Sequence, residues 1–332
     1  MDSSAARLHA RNGIVAALFS ATVLGLAPIF GKLALREGMD PLALVLLRTV
    51  SAAIILWVIF LLFGRKYIFI YPVGFIACAV AGIINGIGSL FFYSGLAMLD
   101  ASLAQLLYSI NPIILVFLLR LDGQPISRIT FVRMILAVPA VYLLTSNTEH
   151  VGQLQGVVFM LIGAAAYALH LAITQRTLRD MPSQTVTLYT LSVMAITVAP
   201  WGLWAIWTGT PLAEASDVAW AGVIGLTLAT AMSRLSLFVG VKRLGGMQAA
   251  LLGLSELLVS LISALIFFNE QLTITQWSGA IILIVSVGLI GREPDLASHY
   301  VSYGWLGWMY GLFERLHPQP EPPPLRSKKA TK

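Results

Sequence analysis

Between residues 12 and 291 the sequence is cut into ten apolar runs of about twenty residues, joined by very short connections. An apolar run of that length matches the hydrocarbon core of a bilayer, where a helix satisfies its own backbone. The predicted spans are 12–35, 41–63, 72–98, 100–120, 127–145, 152–175, 184–208, 217–240, 246–268 and 272–291. Asp40-Pro41, Gly123-Gln124-Pro125, Met181-Pro182 and Gly245-Gly246 supply helix-ending residues between several of them. Composition agrees: 58% of the 332 residues are hydrophobic and only 11% are charged. A soluble domain carries about 25% charge and could not bury this much apolar surface. The first run is too long for a signal peptide and lacks a convincing cleavage site, so it reads as a mature helix.

The net charge of +6 does not point to nucleic acid, because the basic residues fall in short pairs between apolar runs and form no basic face. Those pairs set an orientation instead. With the amino terminus (1–11) inside, Arg7 and Arg11, Arg65 and Lys66, Arg120 and Arg128, Arg176 and Arg179, and Lys242 and Arg243 share the cytoplasmic side. The opposite loops hold Arg36 with Glu37, Asp40, Asp100, Glu149, Glu214, Asp217 and Glu270. The expectation is a multi-pass protein of the plasma (inner) membrane with both termini cytoplasmic. Residues 292–332 form a cytoplasmic tail, aromatic first, then proline-rich, then basic, which reads as an interfacial segment or a disordered end. Cys78 is the single cysteine, which excludes intrachain disulfides and cysteine-cluster metal sites.

The stretch YSGLAMLDASLAQLLYSINPIILVFLL from Tyr93 resembles FVGVKRLGGMQAALLGLSELLVSLISA from Phe238, and the pattern continues after a one-residue slip. Each repeat, 12–145 and 152–291, therefore holds five spans. An odd number forces the second copy to enter the membrane upside down, the arrangement that places a transporter's site near the midplane. The fold expected is all-α, with ten transmembrane helices as two inverted five-helix repeats.

Four polar stripes mark faces turned from lipid. They are Asn85, Ser89 and Tyr93; Gln105, Tyr108 and Asn111; Gln248, Ser255, Glu256 and Ser263; and the narrower Tyr167, His170 and Thr174. His170 alone reads first as a packed, singly bonded histidine, with a metal ligand or proton relay as the alternative. Asn111-Pro112 is expected to loosen the fourth span, as a hinge or a static kink. Arg48 lies seven residues past Pro41, roughly 10 Å deep at 1.5 Å per residue, so it is expected to face the bundle. There it would hold either helix packing or an anionic substrate group. Glu256, about 15 Å deep, is the carboxylate placed at the midplane; it would exchange a proton with each access state or bond a neighbouring helix. Lys32, Arg133 and Arg234 lie near span ends, where snorkelling to headgroups is the first reading. The pairs Gly82/Gly86 and Gly152/Gly156 permit close helix contact.

The first-helix GLAPIFGKLAL with Lys32, DPLALVLLR ending in Arg48, SINP at Ser109–Pro112, and LSELLVSLISALIFFNEQLTITQWSG from Leu254 resemble the EamA-like members of the drug/metabolite transporter superfamily. The resemblance covers residues 12–291. It departs at Glu256-Leu257, where the family has Glu-Pro, and at Gly123-Gln124, where it has Gly-Glu. It implies transport of a small organic metabolite or drug, often export. Together with the inverted repeats this gives a secondary transporter in the lipid bilayer, proton-coupled if Glu256 exchanges a proton and otherwise not, with no cofactor expected. A catalytic triad, phosphate loop or metal cluster is not found in the sequence, which counts against the rival class of integral-membrane enzyme or non-transporting assembly protein.

Overall fold

The computed structural model describes residues 3–121, 128–145, 151–209, 212–244 and 246–289; side chains at 3–18 and 237–255 are among those outside the description. The structure is helical. In chain order come α1 (Ser3–Arg36), α2 (Pro41–Phe63), α3 (Pro72–Met98), α4 (Ala101–Tyr108), α5 (Asn111–Leu121), α6 (Arg128–Thr145), α7 (Val151–Asp180), α8 (Ser183–Thr208), α9 (Asp217–Leu244), α10 (Gly246–Phe268) and α11 (Ile274–Gly288). Each predicted span has its helix, except that the fourth is split into α4 and α5. By length and hydropathy alone, five described stretches can cross a membrane: Phe19–Arg36, Pro41–Phe63, Pro72–Met98, Gln153–Thr174 and Ser183–Thr208. Shorter apolar helices accompany them.

Local chemistry explains several boundaries. Asp40 caps α2, its carboxylate accepting from the backbone N–H groups of Leu42 (2.7 Å) and Ala43 (3.2 Å), with Pro41 in the first turn where its missing N–H costs nothing. The break between α4 and α5 falls at Ser109–Ile110, immediately before Asn111-Pro112, since proline withdraws a donor and crowds the preceding turn. The Ser109 hydroxyl donates to the Leu106 carbonyl and the Asn111 amide to the Tyr108 carbonyl, so both side chains cover backbone acceptors at the break.

The two repeats interlock by symmetric exchange. α1 packs on α9 and α10, and its counterpart α7 packs on α3 and on the α4–α5 pair. α3 packs on α8, and correspondingly α9 on α2; α2·α8, α6·α11 and α4·α10 each join a helix to its own counterpart. Close approach is built from small residues. A Cβ at Gly82 would meet the Thr190 carbonyl at 2.7 Å, one at Gly95 the Gly156 carbonyl at 3.0 Å, and one at Gly222 the Phe30 carbonyl at 2.8 Å. Gly82, Gly86 and Gly156 thus do what their spacing predicts; the side-chain position of Gly152 lies outside the described residues. The outer surface is apolar, and Trp201, Trp204 and Trp207 stand exposed near the end of α8, as in the aromatic belt of membrane proteins.

One end of the bundle, here the acidic end, is closed by charged contacts between repeats. Glu270, following α10, accepts from the backbone N–H groups of Ala101 and Ser102, both at 2.8 Å, and its side chain is 3% exposed. It caps α4 in place of Asp100, which precedes that helix and makes no capping bond. Arg36 sits 3.6 Å from Glu270 and stacks over the Phe268 ring at 4.2 Å, while Ser216 donates to Glu37. Lys32 does not snorkel. Only 7% exposed, it donates to the carbonyls of Leu96 (2.8 Å) and Leu99 (2.5 Å) at the carboxyl end of α3, where a cation complements the helix dipole. At the basic end, Thr185 and Tyr189 of α8 donate to the carbonyls of Tyr67 and Ile68, pinning the α2–α3 connection.

Candidate functional site

A cavity of about 80 Å³ lies inside the bundle at mid-height, lined from both repeats. On a scale where one water needs about 10–15 Å³, it takes a solute equivalent to roughly five to eight waters. Its floor is made by Leu24, Ala27 and Pro28 of α1, and polar and aromatic groups converge on it from six further helices.

Arg48 enters from α2 and is 8% exposed. One terminal nitrogen donates to the Ser89 hydroxyl, the other to Thr230 Oγ1 at 3.4 Å, and the guanidinium carbon lies 4.7 Å from the centre of the Tyr93 ring. Its fork therefore ties α2 to α3 and α9, with a cation–π contact below it. Among the described residues its Nε has no hydrogen-bond partner. From α3 come Asn85, Ser89, Phe92 and Tyr93, one stripe with helical spacing; Asn85 Nδ2 points to Met194 Sδ at 3.3 Å. α4 contributes Gln105 and Tyr108. The rings form a continuous aromatic wall, Tyr93 to Phe92 at 4.9 Å, Phe92 to Tyr108 at 4.6 Å and Tyr108 to Tyr167 at 5.6 Å, in tilted or edge-on contacts.

The second repeat supplies Tyr167, Met194, Thr230, Arg234 and Glu256. The Glu256 carboxyl lies next to the Gln105 amide and within electrostatic reach of Arg234. Among the described residues no ion pair within 4 Å joins Arg234 to Glu256, so the two charges face the same space without closing on each other. Arg234 is a correction to the sequence reading, which sent it to the headgroups. The missed signal is its spacing: Thr230 and Arg234 are four residues apart on α9 and share a face.

Two of the predicted residues lie elsewhere. His170, 1% exposed, packs between helices with Nδ1 3.2 Å from the Ala81 carbonyl and 3.4 Å from Thr174 Oγ1, and it is not part of the cavity lining. Asn111 is taken up by its bond at the α4–α5 break and is likewise outside the lining. The side chains of Gln248, Ser255 and Arg133 lie outside the described residues, as do the loop at Gly123-Gln124 and the tail 292–332. Among the described residues, no group of three or more His, Cys, Asp or Glu side chains could hold a metal ion.

Two interlocked helical repeats that enclose a polar, aromatic cavity in the membrane define a protein of the transporter class. The chain belongs to the EamA-like transporter family, whose two copies match residues 11–146 and 154–292. A solved structure described as "Crystal structure of protein" is similar over 87% of this chain and 96% of its own, with a TM-score of 0.56 at 17% identity, which shows the shared fold alone. No curated protein matches the chain.

Proposed function

We propose that the protein is a secondary carrier that moves a small organic metabolite or drug by alternating access, with export the favoured direction. The observation that carries this reading is a cavity lined by both repeats, because a site shared by two inverted halves can be exposed to either side as one half rocks against the other. Asn85, Ser89, Tyr93, Gln105, Tyr108 and Tyr167 form its polar and aromatic binding surface, and Arg48 and Arg234 its positive side. Glu256 is the coupling group: a carboxyl facing the cavity at this depth can load and release a proton as access alternates. The concentration of arginine and lysine at one end supports a plasma-membrane protein with both termini and the tail 292–332 in the cytoplasm.

The test is flux in proteoliposomes, with and without a pH gradient, for wild type and Glu256→Gln. Saturable uptake is expected in wild type. The variant keeps shape and hydrogen bonding but cannot titrate, so it should retain exchange and lose accumulation driven by the gradient. Wild-type pH dependence in Glu256→Gln would remove proton coupling through this residue; absence of saturable flux across a broad solute panel would remove the carrier reading.

A further inference from the structure

The cavity is lined by three charged side chains, Arg48, Arg234 and Glu256, and its two arginines are differently placed. Both terminal nitrogens of Arg48 are engaged, by Ser89 and Thr230; its face lies against Tyr93, and its Nε is sealed from accessible surface. That guanidinium is committed to joining α2, α3 and α9. Arg234, four residues beyond Thr230 on α9, is half-buried. Among the described residues it makes no ion pair, and none of its nitrogens is closed off as Arg48 Nε is. Its charge reaches Tyr108 of α4, Tyr167 of α7 and Glu256 of α10, which line the cavity from three other helices. Among the described lining residues, Arg234 is therefore the cation left open to a solute.

The sign of the cavity does not depend on the proton at Glu256. Two arginines against one carboxylate leave the lining net positive when Glu256 is ionised, and more so when it carries a proton, because arginine stays charged throughout. A solute entering this space takes the place of water around Arg234, and a cation stripped of water without a partner is costly deep in a membrane bundle. An uncharged or cationic solute leaves that cost unmet. A carboxylate meets it, since its two oxygens match the planar fork of the guanidinium. The room of about 80 Å³ suits a compact acid, and an ionised Glu256 opposes a second negative charge.

We propose that Arg234 determines specificity by anchoring the carboxylate of a small monocarboxylic solute whose remaining atoms lie against the aromatic wall. This rests on the carrier reading above and narrows its substrate class. A primary amide has nearly the shape of its acid and lacks the negative charge. The acid is expected to bind about tenfold or more tightly than the amide, as charge-assisted bonds are about twice as strong as neutral ones.

The experiment uses the full-length protein and matched pairs that differ in that charge: acetate with acetamide, lactate with lactamide, alanine with alaninamide, and 2-furoate with 2-furamide. Binding is read by thermal stabilisation in detergent and transport by counterflow in proteoliposomes. At least one acid should bind about tenfold or more tightly than its amide. In Arg234→Gln the ratio within that pair should fall towards one, whereas in Arg234→Lys, which keeps the charge and loses the fork, the acid should stay preferred. An arginine that only holds helices together would, when replaced, weaken both members alike and leave the ratio intact. Equal affinity for acid and amide in wild type, a measurement that needs no variant to fold, overturns the proposal. So does an unchanged ratio in Arg234→Gln, or binding by none of the acids. Acid-selective binding without counterflow upholds the proposal and counts against the carrier reading; saturable flux confined to the amides overturns the proposal and leaves that reading in place.

Discussion

Replacing Glu270 tests how the acidic end is held shut. Its carboxylate makes two charge-assisted bonds of 2.8 Å to the first turn of α4, and it is the cap that α4 has in place of its own Asp100. Bonds to charged groups contribute about 1.5–3 kcal/mol each, less whatever water restores to the freed N–H groups once the end opens. Glu270→Ala should therefore weaken the closure by about 2–4 kcal/mol, and Glu270→Gln, which keeps one acceptor, by about 1–2 kcal/mol. Ser102 is fully buried under this cap, so a cysteine there reports opening. In a Cys78→Ser background, the rate at which Ser102→Cys reacts with a membrane-impermeant thiol reagent should rise about 30-fold or more with Glu270→Ala, since every 1.4 kcal/mol is tenfold. Glu270→Gln should raise it roughly five- to thirtyfold on the same scale. Unchanged rates in both variants would refute the assignment of the closure to this carboxylate.

Lys32→Met leaves the carbonyls of Leu96 and Leu99 without their donor and should cost about 1–3 kcal/mol, seen as reduced thermal stability in detergent; stability equal to wild type would return Lys32 to the membrane surface. Gly82→Ala puts a methyl 2.7 Å from the Thr190 carbonyl, so α3 and α8 must separate at a cost of about 1–3 kcal/mol, whereas Ile83→Ala on the exposed face should be nearly silent; equal yields of folded protein would contradict the contact. Lys66→Cys in a Cys78→Ser background should react with an impermeant reagent only from the cytoplasmic side, and strong labelling from outside would reverse the orientation.

The spans were legible because their ends are local: Asp40 with Pro41 opens α2, and Asn111-Pro112 marks the split between α4 and α5. The pairing of repeats followed from an odd span count. Long-range polar chemistry was harder to read. Asp100 precedes α4 in the preferred capping position, yet the cap comes from Glu270, 169 residues away, because the interlocked repeats bring that loop to the helix start. Lys32 and Arg234 misled for a related reason. Depth along one helix says how far a charge lies from headgroups, but not whether a neighbouring helix end or an internal cavity lies closer. On α3, spacing alone grouped Asn85, Ser89 and Tyr93, which do line the cavity; on α7, the same reasoning joined Tyr167 to His170, and the histidine turned to the Ala81 carbonyl.

The break at Ser109–Ile110 gives α4 a divided allegiance. It is eight residues long, about 12 Å at 1.5 Å per residue, too short to act as a spanning strut. One end is fastened to Glu270 of the other repeat, and its main neighbours are α10 and α7, also of the other repeat, while α5 beyond the break packs on α7 and α6. The peptide chain assigns α4 to the first half, and its cap and main packing partners come from the second, as they do for the longer helices around it. Gln105 and Tyr108 are carried on this short rod, so a part of the cavity wall that the first repeat contributes is mounted on contacts with the second.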